Sequence, residues 1–535
     1  MDPPSGDKVR PIRALWGLGV LCTLVALSAG AGAIEVAPGT PIVAVRIVRH
    51  DVFDIDDPAT SAWAYRAVNA LHVLSRENFI RAMLLFRVGD PLDPLRLAES
   101  EIILRETGFL NPVSITARPV AGGAEVVVET RDQFTFELSV DYSKAGSRNQ
   151  SGVSVTEENL FGWGKGVQVA VDSTPERTSK AVRYEDPLLF GSRWRLVTSY
   201  KDSSDGSTEF LQVEYPFFAL STPRAAGIEW RSEDLQSYLW SDAQRSVVGH
   251  SDTRKFELWG GLRLPGGGIV TNRLTLGAFG ERAAFADWRR LDGTPYPQPE
   301  DRDLMGAEVG WQHLTFRWEL VQGFRAWKRQ EDLPLGPNWV LTVGLSLPAF
   351  GGDRARLRYH GSLTVGQLHG RTYSWLIADL TGRVEDGGFA NAITHVEVGG
   401  AVTGTAGWRG RVAADLGHDL DGERQLTLGA DVGLRGYDPN TFDGTSRVVT
   451  NLEWRHRITG ELLHFMMLGV TAFADAGITW GARVGPPTGG WRSDVGVGLL
   501  AELTRTSVAR VVRLEVALPD QGGGPVFLVT TSSLF

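Results

Sequence analysis

From residue 133 onward, apolar and polar residues alternate with a period of two. Phe134, Phe136, Leu138, Val140 and Tyr142 share one face, and Thr135, Glu137, Ser139 and Asp141 share the other. The same division returns along the chain. Val167, Val169 and Val171 oppose Gln168 and Asp172, and Phe256, Leu258, Leu262 and Leu264 oppose Lys255, Glu257 and Arg263. Ala355, Leu357, Tyr359, Leu363 and Val365 oppose Arg354, Arg356, Arg358 and His360. Val495, Val497, Leu499 and Leu503 oppose Asp494 and Glu502. Successive side chains of a strand point to opposite faces, so this pattern predicts strands with one apolar and one polar side. About twenty segments read this way.

Before residue 133 the pattern is mixed. Pro41 to Arg49 reads as a strand. Ala59 to Val73 predicts a helix, with Trp63, Ala67, Ala70, Leu71 and Leu74 at helical spacing. Ser75 starts a second helix, with Glu77 and Asn78 in its first turn and Phe79, Ile80, Met83 and Leu84 on one face. Asp93 or Pro94 opens a third, with Leu95, Leu97, Ala98, Ile102 and Leu104 inward, and Gly108 ends it. Phe109 to Ala117 and Glu125 to Glu129 are two strands joined by a Gly122-Gly123 turn. The chain therefore divides into a small α+β unit over residues 34–132 and an all-β region over residues 133–535.

The start of the chain reads as a secretory leader over residues 1–33. Lys8, Arg10 and Arg13 form its basic region, Ala14 to Leu27 its apolar region, and Ala31-Gly32-Ala33 its cleavage site. No later segment holds the twenty or so apolar residues that a spanning helix needs. If the chain sits in a membrane it must do so as a closed barrel, which pairs every backbone group without helices. The 63 glycines, 17 tryptophans and 23 phenylalanines fit such an aromatic-rich sheet. The only cysteine, Cys22, falls in the leader, so the expected mature chain has no thiol, disulfide or cysteine metal site. A net charge of −9 gives no footing for nucleic acid. The ten histidines show no close metal pair, and no G-x-S-x-G elbow is present, so neither a cofactor nor an enzyme activity is expected. Gly162-Trp163-Gly164-Lys165-Gly166 lacks the spacing of a phosphate loop. The Arg354, Arg356, Arg358 row reads as a lumen lining paired with carboxylates, or as an anion-selective surface.

Five motifs follow one another toward the end of the chain. Leu434-Arg435-Gly436-Tyr437 stands between Leu426-Thr427-Leu428-Gly429 and Asn440-Thr441-Phe442. Then come Asn451-Leu452-Glu453-Trp454, Phe473-Ala474-Asp475-Ala476-Gly477, Val495-Gly496-Val497-Gly498-Leu499, and the segment Val512 to Leu518. In this order they resemble the R-G-(F/Y) loop, its following strand, the F-x-D-x-G strand and the last strands of the BamA/TamA superfamily of outer-membrane barrels. Asn159-Leu160-Phe161-Gly162-Trp163-Gly164 and Tyr184-Glu185-Asp186-Pro187 resemble that family's N-L-x-G-x-G and Y-x-D-P segments. Leu104-Arg105-Glu106-Thr107-Gly108-Phe109-Leu110 resembles the Gly-Phe step of a POTRA domain, although the helix near residues 59–73 is an addition to that pattern.

The resemblance implies a transmembrane antiparallel β-barrel of about 16 strands behind one small α+β POTRA-like periplasmic domain. The surplus of pattern-read strands between residues 302 and 420 reads as loop hairpins or one long bent strand. The resemblance also implies a loop folded into the lumen and locked there by Leu434, Arg435, Gly436 and Tyr437. Glu453 and Asp475 would hold the guanidinium, Gly436 would permit the tight tip, and Tyr437 or Trp454 would stack on it. A buried unpaired charge is costly, so Arg435 needs these partners. The barrel seam would join the strands at Phe134 and Phe136 to those at Phe527 and Phe535, with Phe535 part of an aromatic sorting signal. Thr530, Thr531, Ser532 and Ser533 make the last strand polar. The implied location is the outer membrane of a Gram-negative-type bacterium. The implied partners are its lipid, unfolded barrel or secreted polypeptide clients, and periplasmic proteins paired at a sheet edge. The implied function is insertion of barrels or passage of polypeptides. The alternative is a passive channel or surface antigen.

Overall fold

The computed structural model describes residues 36–145, 148–174, 176–486, 489–507, 511–522 and 524–531. The expected leader, with Ala31 and Ala33, and the terminal Phe535 lie outside these residues. The small unit runs as β1 (Ile42–His50), α1 (Trp63–Leu71), α2 (Glu77–Met83), α3 (Pro94–Glu106), β2 (Leu110–Val120) and β3 (Gly123–Asp132). Its sheet has the order β1-β3-β2, with β1 parallel and β2 antiparallel to β3. The start of α3 is set by chemistry read in the sequence. Asp93 accepts a hydrogen bond from the Leu95 N–H, and Pro94 occupies the first helical position, where a missing N–H costs nothing. Gly108 follows α3 at φ +84°, a left-handed conformation that glycine adopts freely. Phe79, Ile80, Leu104, Leu110, Val126 and Val128 pack the sheet against α2 and α3. Helix α1 differs from its apolar spacing: none of its residues is buried, and Trp63 is 81% exposed.

Among the described residues after 135, twenty strands form one antiparallel sheet, from Phe136–Ala145 to Val526–Thr531, and the last strand lies beside the first to close a barrel. The resemblance implied about 16 strands. Between residues 302 and 420 six strands enter the wall, and only Trp318–Val321 and Glu331–Pro334 leave it as a separate hairpin. Alternation is the same in a wall strand and in a lumenal hairpin, so the pattern does not distinguish them. Phe134 also departs from expectation. It forms an isolated parallel bridge to Thr506, and the first wall strand begins at Phe136.

The barrel is apolar outside and charged inside. Leu138, Leu258, Leu276, Val398, Val497 and Phe527 are each more than half exposed on the outer face. Arg273, Arg356, Arg383, Glu453, Asp475 and Arg513 are buried on the inner one. An apolar surface wrapping a whole sheet is stable against lipid and not against water. Among the described residues no helix is long and apolar enough to cross a membrane. Wall height varies greatly. Arg224–Ser241, Gln244–Arg263 and Val270–Arg290 have 18, 20 and 21 residues, whereas Arg195–Ser203 has 9.

The small unit sits on one rim, called the near rim below. Asn159 accepts from the Gly164 N–H at 2.7 Å and donates to Ser75 Oγ at 2.8 Å. A Cβ on Gly162 would lie 2.6 Å from the Leu74 carbonyl, and one on Gly164 would collide with the Phe79 ring. The two glycines thus let the first near-rim turn press against the unit. Further contacts follow round the rim, from Arg193 to the Leu84 carbonyl, from the Leu220 N–H to Glu99, and from Tyr65 to the Leu463 carbonyl.

Candidate functional site: the lumenal loop and its charge network

Residues 419–445 connect the strands Ala406–His418 and Ser446–Arg457 at the far rim. This long connection turns back into the barrel. Leu428 and Phe442 bridge its two arms, and fully buried Leu428 and Leu434 pack on Ala413 and Val449 of the wall. Asn451 donates to the Gly433 carbonyl at 2.6 Å, and Arg411 to the Val432 carbonyl at 3.2 Å. These bonds satisfy loop backbone that would otherwise be stranded away from water.

Arg435 stands at the tip. Its Nε and Nη2 donate to the two oxygens of Asp475 at 2.7 and 2.9 Å, a bidentate pair. Its Nη1 donates to Glu453 at 2.9 Å and to Glu515 at 3.4 Å. The guanidinium carbon lies 3.5 Å from the Phe473 ring centroid. Arg455 and Arg513 also bond Glu453, and Arg513 reaches Glu515 at 2.6 Å. Three guanidiniums therefore face three carboxylates. The Arg435 side chain is 8% exposed and those of Glu453 and Asp475 are fully buried. In such a place each charge is tolerable only because the others are present.

The structure brings together Leu434, Arg435, Gly436, Glu453 and Asp475. It assigns the stacking partner differently. Trp454 stacks on His456, and Tyr437 packs on Phe442 and donates to Asp520, so neither covers the guanidinium. Phe473 does, and period-two spacing carried that signal, because Phe473 and Asp475 share a strand face while Trp454 lies opposite Glu453. Gly436 is small for a different reason than a tight tip. A Cβ there would lie 2.5 Å from the Asp494 Cβ, so the loop touches the wall. Arg455, Arg513, Glu515 and Asn451 were not singled out in the sequence. Glu515 falls in the segment Val512 to Leu518, so every one of the five late motifs supplies a residue to this spot or lies against it.

The other residues named from sequence are spread around the barrel. Phe136 and Phe527 stand on the first and last strands and are exposed outward, 48% and 63%. Arg356 pairs with Asp353 and Glu385, and Arg358 with Glu257 and Glu308, so these two line the lumen beside carboxylates. Among the described residues there is no group of three or more His, Cys, Asp or Glu able to hold a metal ion.

No protein-family model matches the chain, and no curated protein matches it. Among solved structures it is similar to CdiB from Escherichia coli, with 14% identity and a TM-score of 0.44 over 91% of this chain and 76% of that one. It is similar to CdiB from Acinetobacter baumannii, with 11% identity and a TM-score of 0.38 over 94% and 91% of the two chains. It is also similar to BamA from Haemophilus ducreyi lacking POTRA domains 1-3, with 13% identity and a TM-score of 0.36 over 92% and 84%. At these identities and scores, function has to be read from the chain's own residues.

Proposed function

We propose that this chain is an outer-membrane insertase or translocase of the BamA/TamA type, helping barrel proteins into the membrane or polypeptides across it. The observation that carries the reading is Arg435, held inside a membrane-spanning barrel by Asp475, Glu453 and Glu515 at the tip of an inward-folded loop. A channel or surface antigen has no need of such a lock. In this reading the near rim and the small POTRA-like unit face the periplasm, and the far rim faces the outside. The outward apolar face meets outer-membrane lipid.

The mechanism rests on the seam between Phe136–Ala145 and Val526–Thr531. Thr530 and Thr531 make the last strand polar and poor in large side chains. Such an edge zips weakly and is the natural place for the wall to part. An opened edge exposes unpaired N–H and C=O groups, on which a client strand pairs by backbone bonds without demanding a particular sequence. The outer edges of β1 and β2 offer the same pairing to extended polypeptides in the periplasm. No cofactor or nucleotide enters this scheme.

The test uses the purified protein in liposomes beside a urea-unfolded test barrel, following the folding rate. Arg435→Ala and empty liposomes are the references. Acceleration by the wild type that is lost in the variant supports the proposal. Absence of acceleration together with steady ion conductance would replace it with the channel reading. That alternative has one observation in its favour, a lumenal cavity of about 730 Å³ lined by Arg231, Lys255, Glu257 and Glu281 among others.

A further inference from the structure

The hairpin Trp318–Val321 with Glu331–Pro334 is attached at the near rim, between the wall strands Arg302–Thr315 and Gly336–Ser346. It does not stay beside them. Its tip crosses the lumen and is bound by strands well round the barrel. The backbone N–H groups of Trp327 and Lys328 donate to Glu502 at 2.5 and 3.1 Å. Arg409 donates to the Phe324 carbonyl at 2.8 Å, and Arg455 to the Arg325 carbonyl at 3.4 Å. Trp327 is buried among Met467, Leu500 and Val511, and it lies so close to Gly469 that a Cβ there would strike its ring. Phe324 packs edge-on against Tyr373 and Trp375.

The other side of the hairpin holds the small unit. Arg105 of α3 makes a bidentate pair with Asp332, at 2.7 and 2.8 Å, with both side chains largely buried. Asn111 at the start of β2 donates to the Gln330 carbonyl at 3.0 Å. Arg329 donates to the Gly108 carbonyl at 3.0 Å and to the Ser507 carbonyl at 2.6 Å. The hairpin is therefore a bar across the near end of the lumen, latched to the wall at its tip and to the small unit along its base. A cavity of about 460 Å³ lies beside it, bounded by Arg105, Trp318, Tyr373 and Trp375, and leaves space for it to move.

We infer that this hairpin is a plug that shuts the lumen at the small-domain end, and that moving the small domain releases it through the Arg105–Asp332 latch. The two states differ in contacts that a domain displacement removes, which is what a ligand or partner must act on to shift such an equilibrium. The inference requires only that the barrel spans a membrane. It stands or falls separately from the insertion assay above, because its readout is ion flow in the absence of any client.

The experiment places the whole chain, with Cys22 replaced by serine, in a planar bilayer. In Arg105→Cys/Asp332→Cys the latch is absent until a short bifunctional thiol reagent joins the two positions. The expected result is a mean conductance about tenfold above wild type before cross-linking, returning to the wild-type level after it. A second variant, lacking residues 323–329, should conduct at the higher level with or without the reagent. Heat-modifiable gel migration shows that each barrel is closed. Conductance at the wild-type level in both variants, with intact barrels, would overturn the inference. So would a raised conductance in the cysteine pair that cross-linking leaves unchanged.

Discussion

Two halves of this barrel have lumenal faces of similar composition and opposite character. Along Arg224–Ser241, Gln244–Arg263 and Val270–Arg290, the residues Arg231, Glu233, Lys255, Glu257 and Glu281 line an open cavity. Their pairs are wet: Lys255 and Glu281 meet at 3.2 Å with side chains 42% and 23% exposed. On the seam-side half, Ser446–Arg457, Met466–Trp480 and Val511–Pro519 carry the same residue types, but the loop 419–445 fills the space in front of them. There the side chains of Arg435, Glu453, Asp475, Arg513 and Glu515 are at most 8% exposed. Water screens the first set and makes each pair dispensable. Its exclusion makes the second set interdependent. A charged inner face is thus a solvated wall or a lock according to whether a loop dries it.

The comparison can be broken by substitution. Arg435→Ala should have the largest effect, because it leaves three buried carboxylates with two guanidiniums. A loss of about 3–5 kcal/mol is expected, read as the urea midpoint of the barrel in micelles, with protease cleavage appearing in residues 419–445. Gly436→Ala comes next. The added methyl meets Asp494, and repacking costs about 1–3 kcal/mol, visible as the same cleavage at a lower rate. Phe473→Leu keeps an apolar side chain there and removes the ring beneath the guanidinium, so about 1 kcal/mol should be lost while the loop stays protected. Lys255→Ala in the open half should shift the midpoint by less than about 1 kcal/mol, and high salt should abolish even that. Equal effects from Lys255→Ala and Arg435→Ala would erase the distinction between the two halves.

Much of the site could be read from the sequence because period two assigns every strand residue to a face. That rule put Arg356 inside and Val497 outside, while Glu453 and Asp475 came from the family resemblance; applied to the F-x-D-x-G segment, it puts Phe473 on the same face as Asp475. It could not find the Trp318–Pro334 hairpin as a plug, because a strand that leaves the wall alternates like one that stays. Nor could it rank Arg513 and Glu515 above other inward charges, since their importance comes from their distance to a loop tip nearly eighty positions earlier in the chain.

The sequence by itself determined the two-part organisation, the small unit's strand and helix order, and the inward and outward faces of the barrel. These follow from local spacing and from residue chemistry that holds in any environment. Tertiary structure alone decided the twenty-strand closure, the hairpin across the near end and the choice of Phe473 over Trp454. It also decided which half of the lumen is dry. Those depend on which distant segments come together, and burial is a property of that assembly and of no single segment.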